Sequence, residues 1–96
     1  MRDPTGWMVR SEAGRDKGEV FCVVGVDREG ERLFLADGKR RKADRPKAKK
    51  PGHVTVLSDH QSMFDHPTIE KLRQGQPLTN KELRRAIAAF RSEMEE

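Results

Sequence analysis

Apolar positions fall in short blocks, and their spacing changes once along the chain. The first block, residues 7–11, is a plausible opening strand. Two glycines framing Arg15-Asp16-Lys17 then mark a turn. In residues 19–27, Val20, Cys22, Val24 and Val26 share one face while Phe21 and Val23 occupy the other. Valine richness and length favour a strand covered on both sides. Asp27-Arg28-Glu29-Gly30 reads as a turn, and residues 31–36 as the returning strand of an antiparallel hairpin. Asp37-Gly38 is a second hairpin-type dipeptide, which predicts a short cationic strand over residues 39–43. Pro46 and Pro51 bound an irregular basic loop, and residues 53–58 alternate as a fifth strand. Short strands joined by tight turns predict a small closed barrel, which also removes aggregation-prone edges.

After Asp59 the pattern becomes helical. Pro67 at the start and Gly75 just past the end bracket one short helix. Thr79 followed by Glu82 is a capping box, and Leu78 and Leu83 are placed as a hydrophobic staple. The helix that follows shows Leu83, Ala86, Ile87, Phe90 and Met94 on one face, which predicts packing against the barrel. Glu93, Glu95 and Glu96 oppose the macrodipole at its end and predict fraying there. The expected fold is mainly β with an α tail: a five-stranded barrel over residues 1–58 and a helical extension over 59–96.

Composition bounds this picture. Of 96 residues, 33% are hydrophobic and 38% charged, with four Phe, one Trp and no Tyr. The mean hydropathy is -0.91. Residues 20–24 form the longest strongly apolar run, far short of the roughly 20 residues that span a bilayer. A large core and a deep substrate pocket are also disfavoured, whereas the patterned blocks exclude full disorder.

The formal charge of +4 hides an asymmetry. Residues 39–50 hold eight basic side chains and one acidic, a local +7 set against -3 elsewhere. Such a segment attracts polyanions by counterion release, and neutralising about six phosphates would give a salt slope of about -4 to -5. Phosphate contact brings affinity and positioning rather than base specificity. Few aromatic residues are present for stacking, which favours structured RNA read by shape over single strands. No helix carries a basic face aimed at a DNA groove.

Other chemistry is weakly represented. Cys22, the single cysteine, lies in the most apolar run and reads as a buried structural thiol. With no signal-type hydrophobic stretch after residues 1–6, it predicts a reducing cytoplasm. Asp59-His60 and Asp65-His66 suggest a metal pair, but the intervening loop and Pro67 hold no ligand spacing. No nucleophile stands beside a base, and there is no carboxylate pair and no cofactor fingerprint, so neither catalysis nor a cofactor is expected.

The pattern Gly6-x-x-Val9-x-Ser11-x-x-Gly14-Arg15-Asp16-Lys17-Gly18, followed by the valine-rich strand, resembles a KOW motif. Leu35-Ala36-Asp37-Gly38 and Pro46-Lys47-x-Lys49-x-x-x-His53-Val54 narrow the likeness. Together they are similar to the KOW-type large-subunit ribosomal proteins of archaea and eukaryotes and to their short bacterial relatives, over residues 6–58. The resemblance implies an SH3-like barrel that binds ribosomal RNA of the large subunit without catalysis, beside neighbouring ribosomal proteins and away from membranes. The candidate contacts are Arg10, Arg15, Lys17, Lys39, Arg40, Arg41, Lys42, Arg45, Lys47, Lys49, Lys50 and His53. The competing expectation is a protein-interaction module of a transcription or translation factor.

Overall fold

The structure is a computed structural model that describes residues 3–59 and 64–94. Strands β1 (Met8–Ser11), β2 (Val20–Val26), β3 (Leu33–Ala36), β4 (Lys47–Lys49) and β5 (Val54–Ser58) form one antiparallel sheet in the order β4-β3-β2-β1-β5. Helices α1 (Pro67–Arg73) and α2 (Asn80–Met94) follow.

Cross-strand pairing sorts the apolar residues onto two faces. Cys22 lies opposite both Met8 and Ala36, and these three join Ile69, Leu72, Leu83, Ala86, Ile87 and Phe90 in one core. Sheet and helices therefore share a single apolar cluster across residue 58. Phe64 extends it by meeting Phe90 edge to face, with ring centroids 5.2 Å apart. Val9 lies opposite Phe21, and Val23 opposite Leu35; with Leu33 they form a second cluster on the other face. Among the described residues no helical residue belongs to that second cluster, against which Trp7, Val26 and Val54 pack. Register shifts at Met8/Val9 and Val23/Gly25 bend the sheet. The second shift also moves Val26 off the face alternation assigns it, and Val26 packs with the Phe21 cluster instead.

The expected closed barrel is not formed. β4 and β5 stand at opposite edges of the sheet, with no ladder between them among the described residues. β4 is three residues long and is flanked by Pro46 and Pro51, which have no N–H to offer a ladder. A 3-10 turn, Pro51–His53, carries the chain directly into β5. Lys47 and the flanking prolines blunt the β4 edge, and the helices cover the Met8, Cys22 and Ala36 face of the sheet.

The cationic strand expected over residues 39–43 is also absent, and the strand lies at Lys47–Lys49 instead, inside the segment read as irregular. The Asp37 carboxylate accepts from the backbone amides of Lys39 and Arg41, both at 2.9 Å. That local competition holds residues 37–41 in a loop. β4 then pairs with β3 through Leu33–Lys49, Phe34–Ala48 and Leu35–Lys47.

Both helices start as the sequence predicts. His66 caps α1 by accepting the Thr68 amide at Nδ1. In α2 the capping box is reciprocal: the Glu82 amide donates to the Thr79 hydroxyl and the Thr79 amide to the Glu82 carboxylate. Met94, expected on the buried stripe, is 60% exposed, because the last core contact of α2 is Phe90. Glu95 and Glu96, where fraying is expected, lie outside the described residues.

Candidate nucleic-acid interface

Residues 12–19 connect β1 to β2. Gly14 and Gly18 take φ values of +78° and +90°, a region L side chains rarely adopt. Their freedom lets the turn point Arg15 and Lys17 into solvent while Asp16 turns inward to 5% exposure. Arg41 meets Asp16 there, with Nε and a terminal nitrogen both donating to Oδ2 at 3.1 and 2.8 Å. Lys49 reaches the same turn, and its Nζ donates to the Ala13 carbonyl at 2.7 Å. The Glu12 amide donates to the His53 carbonyl at 2.9 Å. The glycine turn and the basic segment, separate motifs in sequence, are thus clasped together.

α2 holds the other side of the basic loop. Asn80 Oδ1 accepts from the Ala43 amide, and Arg84 donates to the Gly38 carbonyl, both at 2.7 Å. Gly38, at φ +75°, makes this approach feasible: a Cβ there would stand 2.2 Å from the Asn80 carbonyl oxygen.

The expected contact residues divide by this geometry. Arg15, Lys17, Lys39, Arg40, Lys42, Arg45, Lys47, Lys50 and His53 are exposed. Arg41 and Lys49 have the internal partners just described. Arg10 is half-buried and pairs with Glu12 at 2.9 Å. The Glu12 carboxyl is held below its ordinary range chiefly by the Thr55 hydroxyl and then by Arg10. Arg40 stands 3.6 Å from Glu19, which also meets Arg91 at 3.8 Å.

Three cations join the region without being legible in the basic run. Arg84 and Arg91 project from α2 beside Lys39 and Arg40 and line a 430 Å³ concavity with them. Their signal was the helical spacing of basic residues on the polar face of α2. Arg32, just before β3, lines a recess with Lys49, Lys50 and His53; next to Glu31 it reads as an ordinary turn charge. A wider concavity, 710 Å³, lies between the basic loop and the α1–α2 connection; Phe34, Leu72 and Leu78 line it, and Asp44 is its one charged residue among the described residues.

Among the described residues no three His, Cys, Asp or Glu side chains group closely enough to hold a metal ion. His60 of the sequence-suggested pair lies outside them. Burial pushes the Cys22 thiol up to about 12, far from the depressed values of reactive thiols. Among the described residues no helix is long and apolar enough to cross a membrane. No known protein family matches the chain, and neither does any curated protein.

Proposed function

We propose that the chain is a non-catalytic RNA-binding protein that docks on structured ribosomal RNA of the large subunit, as a ribosomal or ribosome-associated component of the cytoplasm. The observation that carries this reading is the clasp of the glycine turn to the basic segment, through Asp16–Arg41 and Ala13–Lys49. It gathers Arg15 and Lys17 with the exposed cations of residues 39–50. These side chains and His53 contact phosphates, which supply affinity and register. Arg41 acts as a positioning residue, and Arg10 is neutralised by Glu12. The curled sheet is then an SH3-like barrel of the KOW type left open between β4 and β5, with neighbouring ribosomal proteins as further contacts.

Cosedimentation with ribosomes across a salt series tests this. The protein pellets at low salt, and replacing Lys42, Arg45, Lys47 and Lys50 with Glu abolishes pelleting. Absence of pelleting, or pelleting indifferent to those changes, overturns the reading. Binding to a protein partner that survives nuclease digestion would favour an interaction module instead, with the 710 Å³ groove as its surface.

A further inference from the structure

We propose that the recess between the glycine turn and the β4–β5 connection is a built phosphate site, in which Arg32, Lys49, Lys50 and His53 hold one phosphodiester of the RNA backbone. The source of the phosphate rests on the RNA-binding reading; the anion chemistry of the recess does not.

The recess measures 360 Å³, and no carboxylate lines it. Elsewhere in the basic region Arg10, Arg40 and Arg41 each stand within ion-pair distance of an acid. Among the described residues, none of Arg32, Lys49, Lys50 and His53 has an acidic partner.

Lys49 carries the argument. It is 9% exposed, and among the described residues its ammonium donates a single hydrogen bond, to the Ala13 carbonyl. An ammonium has three donors, and a buried charge is costly unless it is paired. Leu33 lies opposite Lys49 at the end of the β3–β4 ladder, and Arg32 and Lys50, the next residues out, both line the recess. An anion seated there meets the remaining Lys49 donors and neutralises the cations gathered around it, with charge-assisted bonds of about 2.7–2.9 Å. Gly14 keeps the floor open, because a Cβ there would stand 3.3 Å from Lys49 Nζ. His53, exposed at the rim, adds a ring N–H.

Titration of the full chain with inorganic phosphate, followed by NMR, tests the site. The account expects saturable shifts at the Gly14, Lys50 and His53 amides and at Arg32 Nε. Arg32→Gln removes them and Lys81→Gln leaves them intact. Both substitutions are of exposed side chains outside the core, and Lys50→Gln serves as a second variant. Shifts that never saturate, that spread over all exposed cations alike, or that Arg32→Gln leaves unchanged overturn the proposal. A parallel arm with an A-form RNA duplex separates the two readings. There Arg32→Gln lowers the salt slope by about one unit. Saturable phosphate binding without any RNA binding upholds the recess and overturns the RNA reading. RNA binding without phosphate saturation, and with a slope that Arg32→Gln leaves unchanged, overturns the recess alone.

Discussion

Arg41 and Asp16 meet through one carboxylate oxygen, with two guanidinium nitrogens at 3.1 and 2.8 Å from Asp16 Oδ2. Asp16 is 5% exposed, so this pair neutralises a buried charge as well as joining the glycine turn to the basic loop. Removing the arginine strands the carboxylate. Arg41→Met should destabilise the fold by about 1–3 kcal/mol, discounted from a fully buried pair because the Arg41 side chain remains 32% exposed. Asp16→Asn/Arg41→Met should recover part of that loss. Denaturant unfolding of the single and double variants measures it, and additive losses would show that the two side chains act independently.

Gly38 faces a different constraint, the backbone of α2. Gly38→Ala places a methyl 2.2 Å from the Asn80 carbonyl oxygen at φ +75°. It should cost about 2–4 kcal/mol, combining overpacking with left-handed strain. Gly18→Ala, at φ +90° with open space around the added carbon, should cost only about 1–2 kcal/mol. Equal losses at the two positions would remove the close approach to α2 as the cause.

The α2 cap is pH-dependent. Glu82 lies below its ordinary value of 4.5, first through Lys71 and then through the Thr79 amide. A carboxylate depressed by folding contributes stability that is present above pH 4.5 and fades as pH falls through the lower folded value. Wild type should therefore exceed Glu82→Gln in thermal stability at neutral pH, and the gap should close below pH 4.5. A gap constant across that range would contradict the role given to Lys71.

Cys22 should be silent toward thiol reagents in the native state. Its thiol is fully buried and pushed up to about 12, so the thiolate fraction at pH 8 is minute. Modification should appear only with unfolding in guanidinium, and prompt native-state labelling would contradict the packing of β2 against the helices.

Much of this fold was legible where local chemistry and tertiary packing agree. The valine-rich block became β2, Asp27 to Gly30 became the hairpin turn, and the Thr79–Glu82 box starts α2 because each signal is satisfied within a few residues. The failures share a non-local or competing cause. Closure depended on whether two distant edges meet, which no window of sequence reports. The Asp37 side chain captured backbone amides that a strand needed. Gly25, embedded in an otherwise regular alternation, introduced the shift that moves Val26 to the other face. For the candidate site, the basic run announced where the cations lie. The run itself could not reveal that Arg41 and Lys49 have internal partners, 25 and 36 positions away. Nor could it show that Arg32 joins the region through the β3–β4 register.

The central claim is that the exposed cations gathered by the glycine-turn clasp bind RNA phosphates. The affinity for a structured ribosomal RNA fragment, measured over a salt series, tests it most directly. The account predicts a log–log slope of about -4 to -5, flattened by about three units when Lys42, Arg45 and Lys47 become Glu. No binding at about 50 mM salt, or a slope that this charge reversal leaves unchanged, would contradict it.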